Sequence, residues 1–366
     1  MRRAPLAAVL FSACTGTSEP AQINTGDADG GADTDPGDGT PGTGVGSGGT
    51  GGTGGTGGGG GGGTGATGGT GGTGSDPGDG EVLPVLPPCP TVGGIGSWGE
   101  VANADIREAS GLVHSATNPG VLWTHNDAGN PESLFAFAED GRHLGEWMVE
   151  TTMRDWEDMD RAFDANLGAE ALYIGDVGDN GRVRSEYGVV IVAEPLVDAT
   201  AAEPLTGMLT PAATVTLTYP EDRSYDSESV AVDPLTGDLI LIVKSGDGLS
   251  SVYRKAAPHA DGERVELEWI GSLTFGADPL PGSPRTTAAA FSPDGGWFAV
   301  RTYTHAYLWR RPNAISVGLM LTGEPCDLIA PAEDQGEAIA FRADGSGYIT
   351  VSEGLHPSIL TKDLTP

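Results

Sequence analysis

Lysine is nearly missing from this chain of 366 residues: Lys244, Lys255 and Lys362 are the full complement. Fifty-one Asp and Glu stand against 19 Lys and Arg, so the formal net charge is −32. No basic patch exists to neutralise phosphates, which excludes nucleic acid as a partner. The acidity favours solubility and cation binding instead. Cysteine occurs three times, at Cys14, Cys89 and Cys326, and nothing clusters it with histidine as a zinc site would require. The sequence has no H-E-x-x-H, no G-x-S-x-G elbow and no Ser/His/Asp order, although His114 and His125 are present as acid–base groups. Amphipathic helical periodicity longer than a turn or two is absent. Beyond the first dozen residues no apolar run is long enough to cross a bilayer.

Glycine, in contrast, is abundant at 60 residues, and much of it lies in TGGTGGTGGGGGGGTGATGGTGGTG between positions 50 and 74. Such a stretch has no apolar groups to bury and a large backbone entropy to lose, so it is expected to be a disordered tether. Ahead of it stands MRRAPLAAVLFSAC. Two arginines, a short apolar run and small residues before Cys14 read as an export signal over 1–13. Small residues directly before a cysteine resemble the bacterial lipobox, which implies lipidation of Cys14. The expected organisation is a lipoprotein signal peptide at 1–13, a Gly/Thr/Asp-rich tether at 14–81 and one folded domain at 82–366. The expected localisation is exported, on a bacterial outer membrane or cell surface, with the membrane touched only through the lipid. Cys89 and Cys326 are then an even pair in an oxidising compartment.

From Val82 onward short apolar strands alternate with turn signals such as NPG, DAGN, DPLTGD, SPDG and ADGSG. A repeat runs through them. Glu108, Glu228 and Glu337 each open a Glu-x-x-small-apolar run, Glu157 opens a weaker copy, and Thr287 replaces the acid in another. The anchor spacings are 49, 71, 59 and 50 residues. Each anchor is followed by a second run (VLWTHND, ALYIGDV, LILIVKS, WFAVRTY, GYITVSE) and in most copies by a third. Small antiparallel meanders at this period are the signature of propeller blades, and a blade that cannot bury both faces must stack on its neighbours. The expected fold is an all-β, five-bladed β-propeller, with six blades as the alternative. The last blade runs out of chain after SILTKDLTP, and TVGGIGSWGEV can supply its outer strand. That closure would bring Cys89 beside Cys326 and allow a disulfide to lock the ring. Trp123, Trp156, Trp297 and Trp309 are expected as packing between blades.

The first strand of a propeller blade lines the central channel, so the anchors gather at one mouth. The second strand runs antiparallel and returns its end to the same mouth. This reading collects Glu108, Asn126, Glu157, Asp176, Glu228, Glu337 and Glu353 there, with Asp179 and Asn180 from the GDVGDNG loop, as candidate ligands of a divalent cation. Hard oxygen donors suit Ca²⁺. Lys244 and Arg301 enter as counter-charges, because so many carboxylates cannot converge uncompensated. Taken singly, Glu108, Glu228 and Glu337 are read first as acceptors for backbone N–H groups of the next blade. The RDWEDMD stretch (154–160) departs from the repeat, and Asp155, Glu157 and Asp158 are the candidates for a catalytic base.

The run E-x-SGL-V-x-S…NPGVLWTHNDAG…RDWEDMD…LYIGDVGDN…YDSESVAVDP…QGEAIAF resembles a group of exported or lipid-anchored bacterial β-propellers over roughly residues 100–356. More distantly it is similar to the SdiA-regulated periplasmic propellers and to regucalcin/gluconolactonase and phytase-like propellers. That resemblance implies a divalent metal held by mouth carboxylates, with Glu108, Asn126 and Asp176 as positional equivalents of the lactonase ligands. The rest of the lactonase catalytic pattern has no counterpart here. Two functions stand: a monomeric surface-anchored module that binds a protein, glycan or small molecule, and a Ca²⁺-dependent hydrolase of lactones, esters or phosphoesters.

Overall fold

The computed structural model describes residues 84–86, 88–152, 154–276 and 284–365. The signal at 1–13, the lipidation candidate Cys14 and the tether at 14–81 lie outside the described residues. The rest is five small β-sheets arranged as blades around an axis, so the ring closes with five blades and not six.

The strands, in chain order, are a lead-in β1 (Thr91–Glu100), then blade I with β2 (Ala109–His114), β3 (Val121–Asn126), β4 (Ser133–Ala138) and β5 (His143–Val149). Blade II has β6 (Trp156–Asp164), β7 (Ala169–Asp176) and β8 (Tyr187–Ala193). It is followed by β9 (Leu205–Leu209) and β10 (Ala213–Thr218). Blade III has β11 (Ser227–Val232), β12 (Leu239–Val243), β13 (Leu249–Lys255) and, after a short β14 (Arg264–Glu266) that joins blade II, β15 (Glu268–Thr274). Blade IV has β16 (Thr286–Phe291), β17 (Trp297–Thr302), β18 (His305–Arg310) and β19 (Cys326–Ile329). Blade V has β20 (Gly336–Phe341), β21 (Gly347–Ser352) and β22 (Ser358–Thr365). The long spacing between the second and third anchors holds two extra strands: β9 crosses back to lie parallel to β5, and β10 extends blade II and takes β14 in parallel.

The inner strands β2, β6, β11, β16 and β20 touch in that cyclic order around the channel. They are built from small residues because they crowd. A Cβ on Gly111, for example, would stand 2.6 Å from His125 Nε2 and from the Met159 backbone nitrogen. The second strands are fully buried runs such as LILIV, which β-branched residues fit well. Five apolar clusters fill the five blade interfaces, each drawing side chains from two adjacent blades. Trp123 and Trp156 both belong to the cluster between blades I and II, Trp309 packs between III and IV, and Trp297 borders the cluster between IV and V.

Blade V is completed by the lead-in. Strand β1 pairs antiparallel with β22, placing Gly96 opposite Thr361 and Gly99 opposite Ile359. Just ahead of β1, Cys89 is disulfide-bonded to Cys326 at the start of β19, across a sequence separation of 237 residues. The bond ties the closing strand to the neighbouring blade and removes the entropy of a very long loop from the unfolded chain.

Candidate functional site: an acidic channel mouth

The same irregularity recurs where each inner strand begins. In blade II, Trp156 pairs with Asp176 and Asp158 with Gly175, so Glu157 is an extra residue bulged out of the ladder. Glu228, Thr287 and Glu337 are bulged in the same way in blades III, IV and V. A bulge re-aims a side chain, and here it turns the anchor toward the mouth. In blade I the pairing of Ala109 with Asn126 gives Ser110 that position. Glu108 therefore lies two residues ahead of the position it was aligned with; its carboxylate takes the Asn130 side-chain amide.

Three tiers of five residues follow from this register. The residues just before the inner strands are Glu108, Asp155, Asp226, Arg285 and Gln335. The bulged residues are Ser110, Glu157, Glu228, Thr287 and Glu337. Those just past the second strands are Asp127, Val177, Lys244, Tyr303 and Glu353. Blades I to III carry six acids and one lysine in these tiers, whereas blade IV carries none: it presents Arg285, Thr287 and Tyr303. The mouth is lopsided in charge.

On the acidic side two triads converge. Carboxylate oxygens of Asp127, Asp155 and Glu157 lie within 4.8 Å of one another, and so do those of Glu157, Asp226 and Glu228. Glu157 belongs to both. It is 3 % exposed; its backbone carbonyl takes the Ser110 hydroxyl, but its carboxylate accepts no hydrogen bond from any described residue. The Asp155 carboxylate, half-buried beside it, accepts none from the described residues either. Gly178 makes room for the pair, because a Cβ there would overlap Glu157 Oε1 and stand 2.5 Å from the Asp155 carboxylate. Burial, reinforced by Asp127 and Asp226, pushes Asp155 up to about 7. Burial, with Glu337 and Glu108 adding to it, pushes Asp127 up to about 6. Burial and then Glu228 hold Glu157 well above the carboxylate range. Clustered acids with depressed ionisation are what an unneutralised cation site looks like.

Lys244 answers part of this charge. Its Nζ lies 2.8 Å from Glu228 Oε1 and donates to Tyr303 Oη at 3.3 Å. Burial opposes the lysine's charge, and Glu228, Tyr303 and Glu337 overcome it. Burial also pushes Glu228 up, but at that distance the lysine's pull keeps the pair ionic. Across the mouth Gln335 bridges Glu337 and Glu353, donating at 3.2 and 2.8 Å. Burial, then Glu337 and Asp127, push Glu353 up to about 8.

Several of the sequence-derived candidates are engaged elsewhere. Asn126 Oδ1 accepts the amides of Arg107 and Glu108 at 3.0 and 3.1 Å, and Asp176 Oδ1 accepts those of Arg154 and Asp155 at 3.3 and 2.9 Å. The two residues are one device repeated in two blades, clasping the loop that enters the inner strand. Asp176 also pairs with Arg184 at 3.0 Å. Asp179 is spent on the amides of Val183 and Arg184 and on the Tyr187 hydroxyl. Arg301 does not face the mouth acids: it is fully buried, donates to the Ala338 carbonyl at 2.8 Å and pairs with Glu333. Asp158 is no open base. It is fully buried, and its oxygens accept the amides of Met159 at 2.8 Å and of Val230 and Ala289 at 3.0 Å. For Asn126 and Asp176 the reason is register: the mouth residue is the next one along, and one step along a strand reverses the side chain; for Arg301 the mouth residue is Tyr303, two along in the turn. Asp127 and Tyr303 went unselected because the second strands were ended too early, and Asp226 because it precedes its anchor, although THND and YDSES display both acids.

No family model and no curated sequence matches the chain. Solved structures similar to it include the WD40 repeats of RRP9, at 10 % identity and a TM-score of 0.34 over 70 % of this chain and 67 % of that one. A gluconolactonase from Xanthomonas campestris is similar at 11 % identity and a TM-score of 0.40, over 78 % of this chain and 98 % of the other. The mitotic checkpoint complex is similar at 13 % identity and a TM-score of 0.34, over 70 % and 61 %. Likenesses of this degree say nothing about activity, and the propeller is read from the sheets themselves.

Proposed function

We propose that this chain is an exported, lipid-anchored binding propeller whose channel mouth holds a divalent cation on blades I to III. One observation carries the reading: Glu157 is buried, its carboxylate accepts no hydrogen bond from the described residues, and it stands where two carboxylate triads overlap. A buried carboxylate without a donor is costly unless a cation compensates it. The triads offer only hard oxygen donors, which suit Ca²⁺ over zinc or copper. The leader ahead of Cys14, the tether composition and the Cys89–Cys326 bond support placement in an oxidising, extracytoplasmic compartment. A protein, glycan or small molecule would dock at this mouth, drawn by the ion's unfilled coordination positions.

The test is Ca²⁺ titration of the full chain by calorimetry, with elemental analysis after dialysis. The reading expects stoichiometric binding that raises the melting temperature and is lost with chelator. A chain that takes up no Ca²⁺, Mg²⁺ or Mn²⁺ would sink it.

A specific observation also favours a hydrolase. The Asp155 carboxylate accepts no hydrogen bond from the described residues and is held at about 7, near where a general base works best. A bound cation would supply Lewis-acid polarisation of a lactone, ester or phosphoester oxygen. Asp155 would take the proton from the attacking water. Assays with lactone, nitrophenyl ester and nitrophenyl phosphate substrates, with and without Ca²⁺, decide the matter; turnover that survives Asp155→Asn overturns this role.

A further inference from the structure

We propose that Lys244 is a built-in cation that occupies the second carboxylate triad, so that the mouth takes a single divalent ion, at Asp127, Asp155 and Glu157. The inference rests on the cation-binding reading above. The two triads are chemically alike, with three carboxylates each and Glu157 in common. They differ in their neighbours. Lys244 Nζ is 2.8 Å from Glu228 Oε1, and the pair is buried, with side chains 8 % and 6 % exposed. The lysine is also fixed in place: its backbone N–H donates to the Asp226 carbonyl at 2.8 Å, and Nζ donates to Tyr303 Oη at 3.3 Å. Its ammonium is thus anchored by the same strand pair that presents Asp226 and Glu228.

A divalent ion bound to Glu228 would sit within roughly 2.3–2.6 Å of its oxygen, against the ammonium that already holds that carboxylate. Like charges at that separation, shielded from water, repel strongly. The first triad has no such occupant among the described residues. It is also the more open of the two, since Asp127 and Asp155 are half-buried while Glu157, Asp226 and Glu228 are all buried. An ion enters there, and the tethered ammonium serves the inner half. Removing the ammonium leaves Glu228 without its charge partner, and Glu157 then bridges two ions, as carboxylates do in two-metal sites.

The experiment counts Ca²⁺ on the full-length chain and on Lys244→Met, by equilibrium dialysis with elemental analysis. The expected result is one ion on the native chain and two on the variant. Two ions on the native chain, or one on both at equal affinity, overturns the inference and leaves the cation site standing. No ion on the native chain overturns the cation site, and the inference with it. Should Lys244→Met fail to fold with or without Ca²⁺, Asp127→Asn decides. The inference expects it to weaken Ca²⁺ by at least about tenfold, no less than the loss of an outer-sphere partner causes. Native affinity in Asp127→Asn would place the ion beside Lys244 and overturn the inference.

Discussion

Four acids stand within six residues at the start of β6, and they meet two different fates. Asp158 and Asp160 point down the channel and across it. Asp158 accepts amides from β11 and β16, and Asp160 accepts the Val232 amide at 2.8 Å. Asp155 and Glu157 stand at the mouth, and their carboxylates accept no amide of the described residues. Both pairs are acids two residues apart; what differs is whether an orphan amide is within reach. Inner strands of a propeller have ladder partners on one side only, so their channel-side N–H groups need acceptors. Two aspartates of one blade supply them for two others. The mouth pair lies past the last such amide, at the place proposed for the cation. The first pair is architecture, and the second is the proposed site.

Substitution tests that division, beginning with the largest effect. Asp158→Ala strips the shared acceptor from two buried amides, and each unsatisfied donor costs about 1–3 kcal/mol. The expected loss in folding stability is about 3 kcal/mol by urea unfolding, with Asp158→Asn recovering part of it because one amide oxygen remains. A loss under about 1 kcal/mol, the ordinary scale for sites away from such features, would mean that Asp158 is not a tie between blades.

The mouth pair should respond in the opposite sense. Glu157→Gln keeps the shape and removes a charge that no described residue donates to. In chelator its stability should stay within about 1 kcal/mol of the native chain, while its Ca²⁺-induced rise in melting temperature should be largely abolished. Equal damage from Glu157→Gln and Asp158→Asn in the absence of metal would erase the distinction between the pairs.

That distinction could not be drawn from the sequence, whereas the ring could. The anchors at Glu228, Thr287 and Glu337, the turn signals and the unfinished last blade specify five meanders and the strand that closes them. What escaped is the bulge. Each bulged anchor shifts the period-two alternation by one, and no residue type announces it, so a pattern-based register is off by one step at the ends of the second strands. Asn126, Asp176 and Arg301 were selected where Asp127, Val177 and the Thr302–Tyr303 turn hold the corresponding places. Lys244 and Glu353 stand just past their second strands, where the sequence pattern was counted one residue further. Asp226 was legible, two residues before an anchor just as Asp155 is, but only an alignment on the bulge makes the two equivalent.

The remaining effect expected is on pH dependence, and its sign is unusual. Burial pushes Asp160 up to about 7, and burial with Glu337 pushes Glu353 up to about 8, from ordinary values of 3.8 and 4.5. A carboxyl whose affinity for protons is higher in the folded chain than in the unfolded one favours folding while it is protonated. Below about 4 both states hold the proton and pH does not matter. Between about 4 and 8 the unfolded chain releases protons that the folded chain retains, so stability falls as pH rises, and above about 8 the loss is complete. Melting in chelator should therefore be highest near pH 4–5 and decline toward pH 8. The mouth acids would steepen the trend, and saturating Ca²⁺ should flatten it, because an ion competes with protons for the same oxygens. A melting temperature in chelator that climbs steadily from pH 4.5 to 8 would show that these carboxylates are ionised and compensated within the chain. In that case the contrast between the two pairs on β6 would be one of position alone.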